Sequence, residues 1–159
     1  MFPKKILVLL TFIIICFLSN AKVYATEADI FIQSTVNRAA KTLSGDFTKD
    51  QRIKMLEKIA KDTVDIKGIG YYSLGTHRKS LSDDQLKRYE RAFSEYFLKS
   101  FASRLAEYSN PEIDVNSKKI INENYTIVSS VLVSTESRPE VKIEWRVYTK
   151  NPDNPLIRD

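Results

Sequence analysis

Ser82-Asp83-Asp84-Gln85-Leu86-Lys87-Arg88-Tyr89-Glu90-Arg91-Ala92-Phe93-Ser94-Glu95-Tyr96-Phe97-Leu98-Lys99-Ser100-Phe101, continuing to Leu105 and Tyr108, carries the strongest periodic signal in the chain. Leu86, Tyr89, Phe93, Tyr96, Phe97, Phe101, Leu105 and Tyr108 lie three or four residues apart, which predicts a helix over Asp83–Tyr108. Ser82 and Gln85 stand at capping-box spacing just ahead of it. At roughly 1.5 Å per residue such a helix is about 39 Å long. Its rings share one side, while Lys87, Arg88, Arg91, Glu95 and Lys99 make a solvated surface on the other.

Upstream, the helical period repeats. Phe31, Ile32, Val36, Ala39, Ala40 and Leu43 mark a helix over Ala28–Leu43 that Ser44-Gly45 stops. Thr48 and Gln51 give a second capping-box spacing, and Ile53, Leu56, Ile59 and Ala60 carry a helix to about Thr63. A short helix over Asp65–Leu74 ends near Gly75. Downstream of Asn110-Pro111 the period becomes two. Tyr125, Ile127, Val131 and Val133 alternate with Thr126, Val128, Ser130 and Leu132, a strand with apolar groups on both sides. Val141, Ile143, Trp145 and Val147 alternate with polar or half-polar partners, a strand with one wet face. Ser134–Glu140 connects the two as an antiparallel hairpin, with Ile113–Ile121 as a further strand beside them. After the Asn151–Pro155 turn, Leu156–Asp159 reads as the start of a fourth strand that is cut short. Helices first and strands after predict an α+β domain: helices, one of them long and aromatic-faced, over a small antiparallel cone-shaped sheet of the NTF2-like kind.

The full chain has 159 residues and a net charge of +5, with 43% hydrophobic and 28% charged residues, the composition of one globular domain. Lys4 and Lys5 ahead of an apolar run from Ile6 to Leu18, then Val23-Tyr24-Ala25, have the layout of a secretory signal peptide cut after Ala25. The run is shorter than the roughly 20 residues a membrane span needs. Lys4, Lys5 and Lys22 leave with the leader and no acid does, so the net charge of residues 26–159 falls to +2. That weak surplus gives no electrostatic case for nucleic acid as a partner. The single cysteine, Cys16, also lies in the leader, so core packing rather than disulfides must hold the exported domain.

Catalytic chemistry has few carriers. His77 is the sole histidine, set between Thr76 and the cations Arg78 and Lys79, and no Cys/His metal site can be assembled. Asp62 and Asp65 could form an acid–base pair, or cap a helix end. No cofactor and no metal are expected. A helix with many rings facing a sheet of Val, Ile and Trp holds the two layers apart, and that leaves either an ordinary core or a cavity between them.

Three segments resemble one family, the periplasmic phospholipid-binding proteins known as MlaC or toluene-tolerance proteins. Ala102-Ser103-Arg104-Leu105-Ala106-Glu107-Tyr108 is similar to the family's Tyr-Ala-Ser-Arg-Leu-x-x-Tyr helix end. Val141-Lys142-Ile143-Glu144-Trp145-Arg146-Val147 is similar to its Val-Lys-Val-Asp-Trp-Arg-Leu strand, and Leu74-Gly75 followed by Ser82-Asp83-Asp84-Gln85 to its Leu-Gly-(several)-Ser-x-Glu-Gln segment. The match runs in order from about Ile30 to Asp159. Two departures stand out: Thr76-His77-Arg78-Lys79 lacks the family's aromatic residue, and Pro155 occupies an aromatic position in the last strand. Relatives continue past that strand, so the resemblance implies a C-terminally incomplete domain over residues 26–159.

The resemblance implies a periplasmic carrier that moves phospholipid between an outer-membrane lipoprotein or porin complex and an inner-membrane ABC transporter, maintaining outer-membrane lipid asymmetry. It implies a non-enzymatic protein. Acyl chains would lie between a helix face of Phe93, Phe97, Phe101 and Leu105, with Ile69 and Leu74, and a sheet face of Ile127, Val131, Val133, Ile143, Trp145 and Val147. Two other classes stay open on the residues alone. An exported enzyme on a similar sheet would place a buried acid or base in the cavity. An interaction module would have a filled core and present Arg78, Lys79, Lys87, Arg88 and Arg91 to an acidic partner.

Overall fold

The computed structural model describes residues 27–159, so the leader read at residues 1–25 lies outside the described residues. Four α-helices come first among them: α1 (Ala28–Ser44), α2 (Lys49–Thr63), α3 (Ile66–Leu74) and α4 (Asp83–Leu105), with a 3-10 turn over Gly75–Ser80 ahead of the last. Strands β1 (Ile113–Asn122), β2 (Tyr125–Leu132), β3 (Val141–Tyr148) and β4 (Leu156–Ile157) follow.

Both capping boxes form. Gln51 N donates to the Thr48 hydroxyl and Thr48 N to Gln51 Oε1; Ser82 and Gln85 repeat the exchange at the head of α4. A cap of this kind contributes about 1 kcal/mol. Asp65 caps α3 by accepting from Gly68 N at 2.9 Å, and Gly75 ends that helix at φ 55°, a conformation glycine reaches without steric cost. Helix α4 stops at Leu105, short of the expected Tyr108. The chain turns at Asn110 (φ 45°) ahead of Pro111, whose ring disfavours helical backbone in the residue before it.

The sheet runs in the order β1-β2-β3-β4 with every neighbour antiparallel. Val128 lies opposite Trp145, Ser130 opposite Ile143 and Thr126 opposite Val147, so these residues share one face. On β2 that face consists of Thr126, Val128, Ser130 and Leu132, all buried. The expected inner set of Ile127, Val131 and Val133 is therefore corrected: Ile127 and Val131 sit opposite Arg146 and Lys142 on the outer face. Both sets of β2 residues are apolar enough to face a core, and the register with β3 decides between them.

Three small apolar clusters surround the centre of the domain rather than filling it. Helix α1 packs on the sheet through Ile32 and Val36 against Val128, Val147 and Ile157. Leu43, Leu56, Ala102 and Ala106 join α1, α2 and α4. Ala60, Ile66 and Leu98 join α2, α3 and α4, with Phe93, Phe97 and Phe101 against them. One stripe residue is corrected: Tyr96 is 71% exposed, because the apolar face of α4 passes through Phe97 and Leu98 instead.

Candidate functional site

An apolar cavity of about 530 Å³ lies between the helices and the inner face of the sheet. Its size falls in the range of about 300–1,000 Å³ usual for small-molecule sites. Helix α4 contributes Phe97, Phe101 and Leu105, and the ring of Tyr108 extends the same wall past the helix end. Phe93, Phe97 and Phe101 stack in series, with ring centroids 6.1 and 5.6 Å apart. Such ring pairs are worth about 0.5–1.5 kcal/mol beyond their area.

The opposite wall comes from Leu132, Val141, Ile143 and Trp145 of the sheet. Trp145 Nε1 donates to the Ser130 hydroxyl at 2.8 Å. Ser130 is almost fully buried, so the one pairing satisfies two polar groups that would otherwise lack partners. Trp145 thus presents carbon to the interior.

Of the twelve residues expected on the walls, the structure brings Ile69, Phe97, Phe101, Leu105, Ile143 and Trp145 together around this cavity. The remaining six lie elsewhere. Phe93 packs with Ala60, Ile66 and Leu98. Leu74 sits half-buried at the end of α3, Val147 is consumed in the α1–sheet core, and Val133 follows β2 in the loop. Ile127 and Val131 are on the outer face of the sheet.

Sequence reasoning missed the share of α1 and α2, which supply Val36, Ala39, Ala40, Leu43, Leu56 and Ile59. Their helical period was legible, but it marks burial without saying whether the buried face meets side chains or empty space. The signal that could have found them is the small pair Ala39-Ala40, which fills little of the volume a larger pair would take.

Arg158 brings a charged group into the lining. Arg158 donates from Nε to Asp65 Oδ2 at 2.6 Å and from Nη1 to the Tyr125 hydroxyl at 2.7 Å, and its guanidinium lies 3.6 Å from the centre of the Tyr148 ring. Burial works against the charge on Arg158, but the hydrogen bonds to Tyr125 and Asp65 outweigh it and raise its pKa. Asp65 is thereby occupied twice, as helix cap and as ion-pair partner, and is not available as a general base. Asp62 is paired with Arg38 at 2.9 Å, and His77 is exposed in the 3-10 turn. Among the described residues no group of three or more His, Cys, Asp or Glu could hold a metal ion, and no helix is long and apolar enough to cross a membrane.

Comparison with known proteins identifies the family of the chain and its fold. The family model described as MlaC protein matches residues 33–159. The intermembrane phospholipid transport system binding protein MlaC of Haemophilus influenzae is 25% identical over 163 residues, covering 91% of this chain and 76% of that protein. A phospholipid-binding protein from Ralstonia solanacearum, solved in complex with a phospholipid, superposes with a TM-score of 0.70 at 16% identity, covering 84% of this chain and 76% of that one. At that identity the superposition establishes a shared α+β fold.

Proposed function

The chain belongs to the MlaC family, and on that premise we propose that it is a soluble phospholipid carrier working in the periplasm after removal of the leader at residues 1–25. The observation that carries the reading is the apolar cavity held open between the α4 ring stack and the inner face of β2 and β3. Each buried methylene contributes about 0.8 kcal/mol. Four or five of them on a surface groove would give roughly 3–4 kcal/mol, about millimolar affinity. An enclosed cavity that shields more of the chain is what a carrier requires, and the charged headgroup stays near water, avoiding the cost of unpaired burial.

The name of the Haemophilus relative supports membership of an intermembrane phospholipid transport system. We extend the reading to its exchange partners: an inner-membrane ABC transporter complex and an outer-membrane lipoprotein or porin complex, with outer-membrane lipid asymmetry as the outcome. The two rival readings find less support. Asp65, one of the two aspartates that could form an acid–base pair, lies outside the cavity lining and is engaged by Gly68 N and Arg158, and an unfilled apolar cavity is not the filled core of a simple interaction module. Native mass spectrometry and lipid extraction of the purified protein test the carrier reading. It expects co-purifying phospholipid at about one molecule per chain, and a folded protein that neither retains nor takes up lipid rejects it.

A further inference from the structure

A second, open groove adjoins the cavity, and Val64 lines both. The expectation that Lys87 and Arg91 lie opposite the rings is corrected here: Lys87, Arg91 and Ser94 line the groove, and Phe97, Phe101 and Leu105 line the cavity, at successive steps of three or four residues along α4. Such steps keep one face of a helix. Charged and apolar linings thus succeed one another along a single helix. Arg91 and Phe97 are six residues apart, about 9 Å along the axis.

The groove holds three carboxylates, and each is already engaged. Asp62 accepts from Arg38 at 2.9 Å, Asp65 from Arg158 at 2.6 Å, and Glu90 from Lys67 at 2.5 Å and from the Tyr71 hydroxyl. Lys61, Lys87 and Arg91 form no ion pair among the described residues. The groove thus presents three cations whose local acids are neutralised by other groups, beside a cavity that admits an apolar chain. Cations lining one groove suit a phosphate, whose oxygens accept charge-assisted hydrogen bonds from both lysine and arginine.

We infer that Lys61, Lys87 and Arg91 form a phosphate subsite that holds the phosphate of an amphiphile whose chain occupies the adjoining cavity. The inference rests on the carrier reading and adds to it a headgroup contact made by this chain's own cations.

Dodecanol and dodecyl phosphate carry the same chain and differ in the phosphate alone, so their affinities, measured by isothermal titration on the purified protein, separate the two sites. The wild type is expected to bind dodecyl phosphate about tenfold more tightly than dodecanol, a difference that a few solvent-exposed charge contacts can supply. The triple variant Lys61→Gln, Lys87→Gln, Arg91→Gln, with folding checked by circular dichroism, is expected to bring that ratio near one while leaving dodecanol affinity unchanged. Added salt is expected to shrink the ratio in the wild type. Equal affinities in the wild type, or a ratio the triple variant does not change, overturn the phosphate subsite and leave the cavity reading standing. Failure of both amphiphiles to bind overturns the cavity reading itself, and the subsite with it. Inorganic phosphate supplies the remaining arm. Binding much weaker than that of dodecyl phosphate supports a lipid headgroup as the source, whereas equal binding assigns the groove to free phosphate and overturns its role in lipid recognition.

Discussion

Arg158, just beyond β4, donates from Nε to Asp65 at the head of α3 at 2.6 Å, joining residues 93 positions apart in sequence. The same junction is closed by Asp65 N donating to Ile157 O at 2.8 Å. The short last strand is thereby fastened to the helical layer beside the cavity, which Ile157 and Arg158 line. The Asp65 side chain is 16% exposed and that of Arg158 31%, so the pair is partly shielded from water.

Replacing Asp65 removes a helix cap and an ion-pair acceptor together. Asp65→Ala is expected to lower stability by about 2 kcal/mol, combining a lost cap with a charge-assisted hydrogen bond. Asp65→Asn keeps an acceptor for Gly68 N and is expected to cost about half as much. Urea denaturation of the two variants checks the ordering; equal losses would mean that the ion pair with Arg158 alone matters.

Gly70 lies against Phe93, and a Cβ built there would stand 2.8 Å from ring atom Cδ1. Alanine is the better helix former by about 1 kcal/mol. Against that gain, Gly70→Ala must push the ring, and Phe93 is stacked on Phe97 and Phe97 on Phe101. The expected net result is a loss of about 1–2 kcal/mol, as in other overpacked sites, with shifted ring resonances for Phe97 by NMR.

Filling the cavity should separate binding from folding. Ala40 lines it from α1 and is half-buried. Ala40→Phe is expected to keep or raise the melting temperature, because it fills existing space, while lowering phospholipid affinity about tenfold or more, some 1.4 kcal/mol. Thermal melting and lipid co-purification on the same sample read the two effects.

Glu90 titrates below its ordinary value of 4.5, held ionised chiefly by the hydrogen bond from Lys67 and then by that from Tyr71. A folded-state pKa lowered in this way contributes stability that is present above the unfolded value and lost as pH falls through the folded one. The contribution is therefore intact at neutral pH and disappears on acidification below 4.5. Tyr71→Phe is expected to move the Glu90 titration upward toward its ordinary value, observed by carboxyl carbon NMR.

The helices were legible because local chemistry decides them: Thr48 with Gln51 and Ser82 with Gln85 signal their own boxes, and the starts of α2 and α4 fall where that spacing puts them. The succession of strands after helices followed from the change of period at Pro111. Which side of β2 faces inward was not legible, because Ile127 and Val131 are more apolar than Thr126 and Ser130, yet the latter pair lies inside. That choice is made by pairing with β3, where Ser130 meets the Trp145 indole. Half of the expected walls failed for a related reason. Burial of Phe93 and Val147 was readable, but packing partners from α1, α2 and α3 determine whether a buried residue borders empty space.

Trp145 is the sole tryptophan of the chain and lines the cavity, so its emission reports directly on what occupies it. The deciding measurement is Trp145 fluorescence on loading with phospholipid brominated along the acyl chains, compared with the same lipid unbrominated. The account predicts strong quenching by the brominated chains and none by the plain ones. Lipid that binds in both forms while leaving the emission identical would place the chains outside the cavity and contradict it.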